Sequence, residues 1–277
     1  MPKVRANGIT MNYEQQGSGE PVILIPFLSA DHACYAFQVA EYSKHFTCIS
    51  VDLRGTGESD ATHGPYSTED LADDMAALMR SLGIARAHVA GLSLGTAVGM
   101  WLAAKHPEMV TSLSLHSAWH KTDAYIRTVI GGFQTMARAL GSVPETTVLG
   151  IFPWCLTAEL YASKPEYIQS LADFVRSRPP QSLTSFIEQS NAVLGHDAEA
   201  QLNRITAPTL ITFGRHDAVT STRFAEPMKS RIRRAEVIVF EGCSHAPIYE
   251  NVSEFNTRTL EFLLKCSGGA SSAAGGH

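Results

Sequence analysis

The sequence lacks the features that mark several large classes of protein. Its five cysteines form no CxxC pair, which argues against a zinc knuckle and against a framework of disulfides. No apolar run approaches the ~20 residues of a membrane span, and the N-terminal residues contain no apolar segment typical of a secretory signal. A net charge of -5 gives no surplus of cations for nucleic acid. We therefore expect a cytoplasmic protein with neither membrane nor nucleic-acid partners.

Signals for a metal or a nucleotide cofactor are also weak. The stretch RGTGESD, residues 54–60, lacks the third glycine of a dinucleotide-binding loop and the lysine of a P-loop. His116 and His120 are four residues apart, but they straddle the end of a predicted strand, and no carboxylate accompanies them at zinc-protease spacing. The basic cluster RIRR, residues 231–234, is interpreted as the end of a helix, where the helix dipole favours cations. We expect no cofactor and no metal.

Short apolar runs alternate with helical patterns along most of the chain. Continuous apolar runs are typical of parallel strands that are covered on both faces. GITMNYEQQG is predicted as an antiparallel strand at the sheet edge, and STEDLADDMAALMRSLG as a helix capped by Ser67 or Thr68. The alternation predicts an α/β fold with a mostly parallel, twisted sheet and helices on both faces. The six runs predicted as buried strands are PVILIPF, FTCISVDL, AHVAGL, VTSLSLHS, PTLITFG and AEVIVFEG.

One region breaks this alternation. Residues 121–199 contain no convincing strand, and three stretches of the region follow a helical pattern. We therefore predict a helical cap, residues 121–199, inserted into a core formed by residues 1–120 and 200–266. The small polar residues 267–277 are predicted to form a disordered tail.

Ser93 lies in GLSLG, a G-x-S-x-G motif between a predicted strand and a predicted helix. In that context the motif predicts a sharp turn that exposes the serine hydroxyl above the sheet. The helix that follows presents free N–H groups, which favour a developing negative charge. The sequence therefore predicts Ser93 as a nucleophile.

A serine hydroxyl needs a base to remove its proton. Two residues in the C-terminal part of the chain are candidates for that base and for the acid that orients it. Asp217 follows the predicted strand PTLITFG, and His245 follows AEVIVFEG. Both follow the carboxyl ends of strands, where α/β proteins assemble their sites. The three residues occur along the chain in the order Ser, acid, His. We predict that His245 takes the proton of Ser93 and that Asp217 orients the imidazole and stabilises its cation.

With these motifs the sequence resembles the α/β-hydrolase superfamily over nearly the whole chain, to about Leu264. The resemblance rests on GLSLG, FGRHDAVTS, GCSHAPIYE and DLRGTGESD. Residues 64–110 look most like lactone and ester hydrolases of the 3-oxoadipate enol-lactonase type. The resemblance implies an α/β-hydrolase fold with a helical cap, and a Ser-His-Asp triad.

The resemblance also implies an oxyanion hole and a substrate pocket. Most relatives carry His-Gly after the first parallel strand, whereas this chain has Pro26-Phe27. The N–H groups of Leu28 and Leu94 are the expected oxyanion donors, and the bulky Phe27 is expected to narrow the acyl pocket. A largely apolar cap favours an apolar or aromatic substrate of modest size. The predicted pocket residues are Phe27, Trp119, His120, Phe133, Phe152, Trp154 and Ala246.

Four functions fit these residues. The favoured one is hydrolysis of a small carboxylic ester or lactone through an acyl-enzyme, and cofactor-free perhydrolysis would use the same triad. Hydrolysis of carbon–carbon bonds fits less well, since IPFLSAD lacks the glycine- and serine-rich oxyanion loop of those relatives. A non-catalytic ligand receptor on the same fold is the fourth. The sequence leaves open the substrate and whether the chain forms a homo-oligomer.

Overall fold

The computed structural model describes residues 2–62 and 64–267, and one eight-stranded sheet organises them. The strand order is β1-β2-β4-β3-β5-β6-β7-β8, and every pairing from β4 to β8 is parallel. This arrangement confirms the predicted mostly parallel sheet and includes all six predicted strands. The strands are β1 Lys3–Ala6, β2 Ile9–Gln16, β3 Pro21–Ile25, β4 Thr47–Val51, β5 Ala87–Leu92, β6 Val110–His116, β7 Thr209–Gly214 and β8 Ala235–Phe240.

The antiparallel strand predicted at the sheet edge is not the edge strand. GITMNYEQQG forms β2, which pairs antiparallel with β4 on one side and with β1 on the other. The outer strand β1 was missed because only Ala6 of its four residues is buried. A strand with so little buried surface has no apolar alternation to reveal it.

Helices cover both faces of the sheet. In β3, Ile23 and Ile25 belong to one buried cluster, whereas Val22 and Leu24 belong to the other. Alternate strand residues point to opposite faces, which is why an unbroken apolar run suits a strand in this position. The helices are α1 Ala36–Tyr42, α2 Thr68–Ser81, α3 Leu94–Lys105, α4 Ala124–Leu140, α5 Val143–Thr146, α6 Phe152–Cys155, α7 Ala158–Ser163, α8 Pro165–Ser177, α9 Leu183–Leu194, α10 Ala225–Lys229, α11 Pro247–Glu250 and α12 Val252–Ser267.

Local sequence explains where α2 begins and where α10 ends. The Ser67 hydroxyl accepts from the Asp70 N–H and the Asp70 carboxylate accepts from the Ser67 N–H, which forms a complete capping box at α2. At α10, the Arg231 guanidinium donates to the Pro227 carbonyl at 3.0 Å, which agrees with a cation at a helix end. No helix in the described ranges combines the length and apolar character needed to cross a membrane.

Helices α4 to α9 all lie within residues 121–199, which we call the helical segment. Lys121 and Asp197 pair as an isolated antiparallel bridge, so the segment leaves and rejoins the rest of the chain at one place. The boundaries 121–199 remain a prediction, as does the tail. Ser267 closes α12, and residues 268–277 of the predicted tail lie outside the described residues.

Candidate active site

Ser93 occupies a strained turn between β5 and α3. Its φ of 50° and ψ of -117° are unusual for a residue with a side chain. The flanking glycines are needed for space. A Cβ on Gly91 would lie 2.2 Å from the Gly95 carbonyl oxygen, and a Cβ on Gly95 would lie 2.2 Å from the Ile25 carbonyl oxygen. The close packing of β3, β5 and α3 therefore explains both glycines of the motif, and within residues 91–95 only Ser93 has a positive φ.

Asp217 and His245 lie on the loops that follow β7 and β8. Asp217 Oδ2 and His245 Nδ1 are 3.0 Å apart, and both side chains are almost fully buried. Asp217 Oδ1 also accepts from the N–H groups of Val219 and Thr220, at 2.8 and 3.0 Å. Burial alone would raise the pKa of Asp217, but His245, the Thr220 hydroxyl and the Val219 N–H together lower it to about 2.

The ionised Asp217 determines the tautomer of His245. A carboxylate can only accept hydrogen bonds, so the proton of the neutral imidazole lies on Nδ1. Nε2 then has a free lone pair. Ser93 and His245 both line one cavity with a volume of about 120 Å³, enclosed between the sheet edge and the helical segment. The arrangement has the parts that a histidine needs to act as a base at that cavity.

The predicted pocket residues separate into two groups. Phe27, Phe133, Phe152 and Ala246 line the cavity that contains Ser93 and His245. Phe27 is half-buried and stands edge-on to Tyr249, with ring centroids 6.3 Å apart. The bulky residue that replaces the usual glycine thus contributes to the cavity wall.

Trp119 and His120 lie elsewhere, contrary to the prediction. Trp119 is 2% exposed, and its indole N–H donates to the Thr122 hydroxyl at 2.9 Å. His120 is buried edge-on against the ring of Phe224. Both side chains fill the junction at the start of the helical segment. The sequence places them near the site but gives no direction for their side chains.

Trp154 also lies outside the cavity wall. Its side chain is 38% exposed and stands edge-on to Phe133, which does line the cavity. Four-residue helix α6 turns Phe152 inward and Trp154 outward, because residues two apart on a helix face different directions. The backbone of Trp154 contacts the residue before His245, since the Trp154 carbonyl accepts from the Ser244 hydroxyl at 3.3 Å.

The two predicted oxyanion donors are backbone groups at the ends of neighbouring elements. Leu28 lies in the turn after β3, and no acceptor among the described residues binds its N–H. Leu94 is the first residue of α3, where N–H groups have no partner within the helix. Leu28 lines the cavity and Leu94 directly follows Ser93.

Two polar pairs that the sequence did not reveal also line the cavity. Arg178, after α8, donates through Nε to Asp31 Oδ2 at 2.8 Å, and both residues line the cavity. Ser29 and Thr147, also on the wall, share a hydrogen bond of 2.9 Å between their hydroxyls. These partners are separated by more than 100 residues in the chain, so no local pattern could have paired them.

Among the described residues, Asp31, His32 and Asp52 have ligand atoms close enough together to bind a metal ion. Their polar atoms already have partners. His32 Nδ1 lies 2.7 Å from Asp52 Oδ1, and Asp31 pairs with the Arg178 cation. Burial is the largest single effect on the pKa of His32 and lowers it, but the hydrogen bond to Asp52 and the charges of Asp52 and Asp31 together outweigh burial and raise the pKa overall. This pattern fits a set of ion pairs that stabilises the loop after β3.

The fold places the chain in a known class of enzymes. The family described as alpha/beta hydrolase fold matches residues 17–252, and the chain belongs to that family. It is a hydrolase.

Individual relatives are similar to this protein over most of its length. The protein named as a carbamate hydrolase, RutD, from Azorhizobium caulinodans is 29% identical, over 95% of this chain and 98% of the relative. The enol-lactonase from Burkholderia xenovorans LB400 is 26% identical with a TM-score of 0.84, over 95% of this chain and all of that structure (100%). A thermophilic esterase from Thermogutta terrifontis is 25% identical with a TM-score of 0.82, over 96% of this chain and 98% of that structure.

Proposed function

We propose that the chain is a serine hydrolase that cleaves a carboxylic ester or lactone of a small, largely apolar substrate. The observation that carries the proposal is the cavity that Ser93 and His245 share, with Asp217 3.0 Å behind the imidazole. A strained serine, a base and an orienting carboxylate are the parts that acyl transfer requires.

The reaction follows from the roles of these groups. His245 Nε2 takes the hydroxyl proton as Ser93 Oγ attacks the substrate carbonyl. The N–H groups of Leu28 and Leu94 stabilise the oxyanion, and His245 then gives its proton to the leaving oxygen. A water molecule, activated in turn by His245, releases the acid and restores Ser93. Asp217 remains ionised throughout, in keeping with its lowered pKa of about 2.

The cavity wall supports an apolar substrate. The charged residues of its lining are Asp31 and Arg178, and these two neutralise each other in an ion pair at 2.8 Å. A substrate with its own net charge would find no unpaired counter-charge there, whereas aromatic and aliphatic groups would contact Phe27, Phe133 and Phe152.

The relatives' names suggest which bond types to compare, since one is named for carbamates, one for an enol-lactone and one for esters. The test measures kcat/KM for p-nitrophenyl acetate, butyrate and octanoate, for small lactones and for alkyl carbamates. A parallel series with hydrogen peroxide detects perhydrolysis. We expect the highest kcat/KM for an ester or lactone with an apolar acyl group. A clear preference for carbamates, or tight ligand binding without turnover, would refute the proposed substrate class.

A further inference from the structure

Glu250 joins the loop that carries His245 to the helical segment. It ends the short helix α11, five residues after His245, and its side chain is half-buried. Oε1 accepts from the backbone N–H of Thr157 at 2.6 Å, and Oε2 accepts from the backbone N–H of Ser244 at 2.5 Å. One carboxylate thus holds two backbone groups from segments that are far apart in the chain.

Other bonds join the same two segments on both sides of His245. The Ala246 N–H donates to the Cys155 carbonyl at 3.0 Å, and the Ser244 hydroxyl lies 3.3 Å from the Trp154 carbonyl. Residues 244 and 246 are therefore both tied to residues 154–157. The imidazole of His245 projects from a backbone whose position depends on the helical segment.

We infer that Glu250 is a positioning residue for His245, and that the helical segment takes part in aligning the base as well as covering the cavity. The inference rests on the proposed role of His245. The two backbone groups that Glu250 binds are both N–H donors, so the site requires two acceptors on one side chain. A carboxylate provides them, and the bonds are strengthened by its charge. An amide provides one acceptor only and would turn its NH₂ group toward the second N–H.

The substitution Glu250→Gln tests this with little change in volume. We expect kcat to fall by about 10- to 100-fold, because misplacing a reacting group by about 1 Å costs on the order of 10²-fold in rate. KM should change much less, since Glu250 does not line the cavity. The rate at which a fluorophosphonate labels Ser93 should fall in parallel with kcat. The matched control is Glu254→Gln, an exposed glutamate in α12 that should keep the activity of the wild type.

A second variant removes the other end of the bond without changing Glu250. Thr157→Pro deletes the N–H, and the backbone accepts proline there, with φ of -71° at Thr157 and an extended Leu156 before it. The same change loses the Thr157 hydroxyl, which caps α7 by accepting from the Leu160 N–H at 3.2 Å. Thr157→Ala loses the same hydroxyl, together with its own hydrogen bond to Glu250, but keeps the N–H, so the ratio of kcat between the two variants isolates the N–H.

The outcomes separate the inference from the function on which it rests. Two results together support the inference. In Glu250→Gln, kcat is lower and the labelling of Ser93 is slower. The kcat of Thr157→Pro is lower than that of Thr157→Ala by a similar factor. An unchanged kcat in Glu250→Gln, or an effect on KM alone, overturns it and leaves a purely structural contact. If Glu250→Gln fails to fold, a Thr157→Pro to Thr157→Ala ratio near one overturns it. Turnover that persists in Ser93→Ala refutes the proposed function instead.

Discussion

Replacing Gly95 with alanine tests whether the tight turn at Ser93 is needed for the chemistry. The added Cβ would lie 2.2 Å from the Ile25 carbonyl oxygen and 3.0 Å from that of Pro26, and real Cβ contacts essentially never fall below 3.0 Å. The backbone must therefore move by at least 0.8 Å, the difference between 2.2 and 3.0 Å. Alanine is better than glycine in a helix by about 1 kcal/mol, but backbone overlap typically costs about 1–3 kcal/mol or more.

The backbone that must move is close in the chain to a predicted oxyanion donor. Ile25 ends β3, and the chain reaches the Leu28 N–H three residues later. A shift of that size should remove an oxyanion donor from its place, which costs about 10²- to 10³-fold in kcat. The assay compares kcat and chemical denaturation midpoints for Gly95→Ala and for Gly99→Ala. At Gly99 the nearest atoms to the new Cβ are side-chain methyl groups, the closest being that of Leu113 at 3.2 Å. A Gly95→Ala enzyme with nearly unchanged kcat would refute this reasoning.

Three further predictions concern the neighbouring side chains. Phe27→Ala should shift preference toward longer acyl groups by about 1–3 kcal/mol with a similar best kcat, measured across acetate, butyrate and octanoate esters; a uniform collapse of kcat would contradict its role as a wall. His245→Ala should lower kcat by several orders of magnitude, because it removes the base that activates Ser93; a His245→Ala protein that keeps most of its turnover would count against His245 as the base. Because the pKa of Asp217 is lowered from 3.8 to about 2, its ionisation stabilises the fold above about pH 4, and that contribution is lost as pH falls toward 2. Unfolding of Asp217→Asn should therefore lack about 2 kcal/mol of this acid dependence, and identical pH dependence in both proteins would refute the coupling.

Features that depend on one stretch of chain were predictable from the sequence. The parallel strands appear as apolar runs because both faces of β5 and β7 are buried. The carboxyl ends of parallel strands all lie on the same side of a sheet, so the residues that follow them come close together. Asp217 could therefore be paired with His245 from the sequence, since each follows a predicted parallel strand. The cap at the start of α2, predicted as Ser67 or Thr68 and formed by Ser67, was equally local.

Features that depend on distant contacts were not predictable. Trp119 and Phe152 are both apolar aromatics near the helical segment, and only tertiary packing turns the first into the core and the second toward the cavity. Glu250 resembles any helix-terminal acid in sequence, and its partner Thr157 is 93 residues away. Strand β1 has too little buried surface to leave a pattern.

The central claim is that Ser93 carries the acyl group. The most direct measurement is the mass of the intact protein, followed by peptide mapping, after brief reaction with a p-nitrophenyl ester or a fluorophosphonate. We predict one adduct per chain, located on Ser93 and formed in proportion to the loss of activity, and no adduct in a folded Ser93→Ala protein whose kcat is lower by several orders of magnitude. An adduct on another residue, or a Ser93→Ala protein that keeps most of its turnover, would contradict the claim.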